Sequence, residues 1–179
     1  VEAFGEARGR RFHELARGVD QRPVEPETDR KSLGKERTFS EDVADRDRVR
    51  RELLELCEKV ALSLREKEVA GATVTVKLRW EGFDTVTRQT TLDQPVDTTE
   101  RIWPAARRLL ERADRPSRRV RLVGVYVSGL DRGEGTQLSL FAERGEDRHE
   151  QVAEAVDRVV ERFGKGAVTR AEILGERDG

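Results

Sequence analysis

Two stretches of this chain carry side chains in patterns that could do chemistry. The first is ATVTVKLRWE (72–81), where Thr73, Thr75, Lys77 and Arg79 alternate with Val74, Val76, Leu78 and Trp80. Alternation of this kind marks a half-buried strand, with hydroxyls and cations on one face and apolar groups on the other. Such a face can lie along a sugar–phosphate backbone, because hydroxyls, amides and cations all donate to phosphate. It is equally the composition of an ordinary solvated sheet face, and these residues alone do not choose. The second stretch is Gln137-Leu138-Ser139-Leu140-Phe141, after a glycine-rich turn from Asp131 to Gly135. As an extended peptide it would seat Leu140 and Phe141 in an apolar pocket of a partner, with Gln137 as an orienting amide. As an amphipathic edge strand it would merely continue a sheet.

Other chemistries find little support. His13 and His149 are far apart, which excludes a histidine-rich metal site. Cys57 is the single cysteine, so there is no internal disulfide framework, and its place on an apolar stripe makes it a core residue. Asp45 and Asp47 open a helix, where carboxylates answer the dipole and solvent rather than a metal. There is no nucleotide-binding glycine loop and no nucleophile–base arrangement. No apolar run approaches the ~20 residues that cross a bilayer, and no signal-peptide pattern opens the chain.

The elements that must position these residues can be read in turn. Of 179 residues, 35% are hydrophobic and 40% charged, which suits a small core with long solvated helices. Residues 30–132 hold 23 basic and 18 acidic groups, while residues 133–179 hold 7 and 11. Only the middle block attracts polyanions. Residues 1–18 read as a short helical piece, and the Pro-containing stretch 19–30 as an extended linker. KSLGKERTF (31–39) reads as a strand ending at Ser40. An apolar stripe of Val49, Leu53, Leu56, Cys57, Val60, Ala61 and Leu64 predicts a long helix over 44–68. Strands at 72–81 and 84–92 form a hairpin around Gly82-Phe83, closed by Pro95.

Asp97 and Glu100 have capping-box spacing before a helix with Pro104 near its start, so regular turns begin near Trp103 or the helix kinks there. Residues 119–128 make a fourth strand. Residues 148–163 form an amphipathic helix whose stripe needs a partner, and 167–174 a short strand or extended hook. The order β-α-β-β-α-β predicts an α+β fold: a four-stranded antiparallel sheet, two helices on one face, and a C-terminal helical tail. Trp80 falls on the helix side and Tyr126 is ambiguous, so the aromatic pair of a single-strand RNA reader is missing from the free face.

The run Lys31, Ser32, Leu33, Gly34, Glu36, Thr38 and Phe39, preceded by RGVDQRPV (17–24), resembles the C-terminal part of Y-family translesion DNA polymerases of the polymerase IV type. TRQTTL (87–92) and VRLVGV (120–125) are similar to that family's third and fourth strands, and the resemblance covers residues 1–141. It implies the end of a thumb domain at 1–19, a linker at 20–30 and a little-finger domain at 31–132. A clamp-binding segment at 133–145 and a C-terminal helix with an extended tail at 146–179 complete it.

The family's little finger lies in the major groove and holds primer and template backbones. Carried over, Ser32 and Gly34 offer backbone amides to a phosphate, the glycine permitting close approach. Lys31, Arg37, Lys77, Arg79, Arg88 and Arg121 become cation contacts, although parity aligns Arg88 with Val86 and Leu92 unless a bulge intervenes. Residues 137–141 match the bacterial sliding-clamp pentapeptide at every position. The resemblance further implies a cytoplasmic, monomeric bacterial protein whose partners are primer-template DNA and the β sliding clamp, with no membrane. The family's catalytic carboxylates and magnesium ions belong to a palm that would precede Val1, so this stretch is expected to be catalytically silent, without a cofactor of its own. A catalytically inactive relative that tethers a mutagenic repair complex to the clamp would share this half of the molecule. An unrelated split-βαβ module with an accidental pentapeptide is the remaining reading.

Overall fold

The computed structural model describes residues 5–20, 22–23, 30–131 and 146–174. The strand that alternates in sequence alternates in space. In β2 (Ala70–Trp80), Val74, Val76, Leu78 and Trp80 are fully buried, while Thr73, Thr75, Lys77 and Arg79 are half-buried on the opposite side. Against the buried side pack α2 (Arg46–Arg65) and α3 (Thr99–Ala113). The stripe of α2 reads as its sequence spacing predicts: Val49, Leu53, Leu56, Cys57, Val60, Ala61 and Leu64 are all buried. Asp45 caps this helix, its side chain accepting from the amides of Asp47 and Arg48.

The other strands are β1 (Ser32–Val43), β3 (Thr85–Val96) and β4 (Val120–Asp131). All pairings are antiparallel, in the order β1-β4-β2-β3. The expected α+β architecture, with both helices on one face, is therefore the observed one.

Several boundaries differ from expectation, each for a physical reason. β1 runs past Ser40 to Val43, because a register break after Thr38 lets the chain resume pairing at Val43 opposite Val120. β3 runs through Pro95 to Val96. It is an edge strand, so a residue without an N–H can sit there without breaking a ladder on both sides. α3 begins at Thr99 with Thr98 at its N-cap, so Pro104 lies inside the helix rather than at its first turn. That position removes one backbone donor, the one that would reach the Glu100 carbonyl.

Helix α1 (Glu6–Ala16) stands at the N-terminal end, with Phe12 and Leu15 exposed. The C-terminal helix α4 (Glu146–Phe163) finds its partner in α2. Arg65 donates to both carboxylate oxygens of Asp157, at 2.6 and 2.7 Å, and to the Asp97 carbonyl at 2.7 Å. Lys165 pairs with Glu66 at 3.0 Å, and Arg170 reaches Glu58 at 2.8 Å and also Glu100. Apolar closure is thin: Ala153 is buried, but Val152 and Phe163 stay exposed, and a cleft of about 540 Å³ lined by Leu62, Val152, Val156 and Val160 separates the layers. Residues 171–174 form the short helix α5 (Ala171–Leu174) rather than a strand or hook. Its neighbours are helices, which offer no free backbone ladder to pair with.

Candidate nucleic-acid interface

The face of the sheet away from α2 and α3 is a grid of four strands by four rows, set by strand register. Across β1, β4, β2 and β3 the rows are Ser32-Ser128-Thr73-Thr91, Gly34-Tyr126-Thr75-Gln89, Glu36-Gly124-Lys77-Thr87 and Thr38-Leu122-Arg79-Thr85. Nine of these sixteen positions carry a hydroxyl, and two carry a cation. The surface is therefore built mainly from neutral donors, with Lys77 and Arg79 as its cations and Glu36 as its anion. Thr73 and Thr91 hydroxyls lie 3.1 Å apart, and Arg79 donates from Nε to the Thr85 hydroxyl at 3.0 Å, which ties it to β3 in the last row.

Two glycines are explained by what lies over them. A methyl group at Gly34 would fall 2.1 Å from the Tyr126 ring, so the tyrosine lies across β1 at that point. A methyl at Gly124 would fall 2.8 Å from Cγ of Glu36. Glu36 thus crosses β4 above Gly124 and accepts from Lys77 Nζ at 2.7 Å.

Beyond the last row the chain turns at Gly82 and Phe83, both with positive φ (76° and 67°). Phe83 is 67% exposed, and the Arg121 guanidinium sits 5.1 Å from its ring centroid. Arg121 lies where the β2–β4 register shifts, between Leu122 opposite Arg79 and Val120 opposite Trp80. Asp42 fixes it through two hydrogen bonds of 2.8 and 3.0 Å, which raise the guanidinium above its usual value.

A family model described as the impB/mucB/samB family C-terminal domain matches residues 30–140. The chain belongs to this family. The DNA polymerase IV of Desulfatibacillum aliphaticivorans is 36% identical over 168 residues, covering 93% of this chain and 42% of that protein. That of Alkalilimnicola ehrlichii is 41% identical over 142 residues, covering 78% of this chain and 39% of that protein. The chain thus spans less than half the length of these curated relatives. Among solved structures, a complex of β-clamp processivity factor and the little finger domain of PolIV resembles it at a TM-score of 0.46 and 28% identity, covering 61% of this chain and 97% of that one.

Within this impB/mucB/samB C-terminal domain, the residues singled out from sequence divide between the two sides of the sheet. Ser32, Gly34, Lys77 and Arg79 share the open face. Lys31 is exposed just ahead of β1, and Arg121 stands at the bulge beyond the last row. Arg37 does not join them. It pairs in register with Val123, on the helix side, and donates from Nε to Glu52 of α2 at 2.8 Å. That bond raises the guanidinium above its usual value. Arg88 is opposite Val76 and so also on the helix side, donating to the Thr87 carbonyl at 3.0 Å. No bulge rescues it, since β2 and β3 stay in step from Thr73 to Arg79.

Gly34 keeps its place on the open face, but the space above it holds the Tyr126 ring, so intramolecular packing already accounts for the glycine. Gln137, Leu138, Ser139, Leu140 and Phe141 lie outside the described residues. Sequence reasoning used Glu36 and Thr38 only as marks of the resemblance and left Tyr126 ambiguous, so it placed none of the three on the open face. The parity of Ser32 and Gly34 was the available signal for the first two.

Among the described residues no three His, Cys, Asp or Glu side chains come together as a metal site. No helix among them is long and apolar enough to cross a membrane.

Proposed function

We propose that this chain is the DNA-holding, clamp-tethered C-terminal region of a translesion DNA polymerase. The open sheet face grips the primer-template backbone, and residues 137–141 latch onto the bacterial β sliding clamp. Residues 1–19 then close the thumb, 20–30 link it to the little finger at 31–132, and magnesium-dependent chemistry resides in a separate palm. The observation that carries the reading is a hydroxyl-rich antiparallel face, on the side of the sheet away from α2 and α3, in a chain of the impB/mucB/samB C-terminal family. Neutral donors and a few cations reach phosphates without reading bases, so grip is independent of sequence, as bypass of damaged templates requires. The curated relatives named DNA polymerase IV support the same reading.

The test is binding of the chain to primed duplex DNA over a salt series. Affinity falls as salt rises and is alike for unrelated sequences; binding that ignores salt removes the phosphate-contact account. In parallel, Leu140→Ala with Phe141→Ala abolishes capture by the clamp and leaves DNA affinity unchanged. Normal clamp capture by the double variant removes the tethering role.

A further inference from the structure

The third row of the open face holds a cation that is already occupied. Lys77 stands on β2 and Glu36 on β1, and β4 runs between them. Strands lie about 4.8 Å apart, so the two side chains span roughly 10 Å of sheet to meet. They do so because residue 124, directly between them, is glycine: its missing Cβ is the space through which the Glu36 side chain passes. The contact is short, 2.7 Å, and both side chains are less than a third exposed. Beside it on β3 the Thr87 hydroxyl completes the row. An anionic oxygen therefore rests on the one lysine of the grid, above a floor with no side chain and next to a neutral donor. A backbone phosphate would want the same surroundings.

We propose that Lys77, Gly124 and Thr87 form a seat for one DNA backbone phosphate, and that the Glu36 carboxylate fills the seat in the free protein. This deepens the proposed function and rests on the open face being the DNA face. The phosphate takes Lys77 only by displacing Glu36, so each binding event exchanges one anion for another on the same ammonium. The exchange lowers affinity, and with Glu36 on Lys77 the grid keeps one net positive charge when no DNA is present. A polymerase domain that must let its template slide gains from a grip that is weak and reversible at each phosphate.

The experiment is a double-mutant cycle on the chain, read as the dissociation constant for primed duplex DNA over a salt series. Glu36→Gln frees Lys77 and tightens binding about two- to fivefold, the range expected for releasing a partly exposed ion pair. It also steepens the salt dependence by about one counterion's worth. Glu36→Ala removes the crossing side chain altogether, and so tightens binding in the same direction. In the Lys77→Gln background both gains vanish. Thermal melts of each variant, read beside the affinities, show that the domain stays folded. If Glu36→Gln tightens binding equally with and without Lys77, the glutamate acts only as background charge and the seat is wrong. Unchanged or weaker binding in the two Glu36 variants overturns it as well. If the unaltered chain shows no salt-dependent DNA binding at all, the proposed function falls first, and the seat falls with it.

Discussion

The two faces of one sheet are held by different physics. On the helix side, Val74, Val76, Leu78, Trp80, Val123, Val125 and Val127 are fully buried against α2 and α3, and there stability comes from apolar area removed from water. On the open side, the same strands present Thr73, Thr75, Thr87, Thr91, Ser128 and their neighbours, whose hydrogen bonds in water contribute little net stability. The contrast teaches that the open face is free to be chosen for contact, because the core does not need it.

Charge follows the same division. Arg37, Arg46, Arg65 and Arg118 sit on the helix side or at the strand ends and are held by Glu52, Asp114, Asp157 and Asp84. The surplus of basic residues counted along the middle of the chain is thus mostly spent away from the open face. What remains there is a hydroxyl surface with two grid cations, one of them shared with Glu36.

That comparison can be broken most directly in the core. Trp80→Ala empties a fully buried indole site under the Arg46 guanidinium, 5.8 Å from its centroid, and should cost about 3–5 kcal/mol. Thr75→Ala, one strand position on the other face, should stay within about 0.5 kcal/mol. Urea denaturation of the two variants measures both, and similar losses would mean that the open face carries structural weight after all.

A middle-sized effect belongs to the tail. Arg65→Ala removes the bridge to Asp157 and the Asp97 carbonyl, and should loosen α4 by about 1–2 kcal/mol. Hydrogen exchange should then speed up in α4 while the amides of β2 keep their protection. Equal loss of protection in both would show that the tail is part of the core rather than a layer clasped onto it by ion pairs.

The smallest effect is a pH dependence. Burial against the α4–α5 layer pushes the Glu58 carboxyl above its usual value, although Arg170 pulls the other way. A carboxyl whose folded pKa is raised takes up its proton in the folded state first, so its penalty is full at neutral pH. It is relieved as pH falls through the folded pKa towards the unfolded value near 4.5. Glu58→Gln should therefore melt slightly higher than the parent at pH 7, and the gap should close by about pH 4. A gap that widens on acidification would reverse the sign and place the ion pair with Arg170 above the cost of burial.

Much of this was legible along the chain. The period-two run at 72–81 placed Trp80 inside and Lys77 outside, and the α2 stripe was readable residue by residue. Arg88 was also readable from its parity with Val86. Arg37 was readable the same way, since it shares parity with Leu33 and Phe39; it was placed among the contacts by resemblance, and register puts it beside α2 instead. Boundaries at Ser40, Pro95 and Asp97 were misplaced because each depends on neighbours. A bulge, an edge position and an N-cap are properties of pairing and packing, and no local window contains them.

The sequence by itself determined which residues alternate, where helices run and which side of each element is apolar, because these follow from backbone geometry repeated every two or 3.6 residues. Only the tertiary structure decided that Glu36 meets Lys77 across Gly124, that Tyr126 covers Gly34, and that α4 is clasped to α2 through Arg65. Those contacts join residues 41 and 92 positions apart for Lys77 and for Arg65. The sheet contacts exist because strand order sets β4 between β1 and β2, and strand order, like the docking of α4 on α2, is a property of the whole fold rather than of any segment.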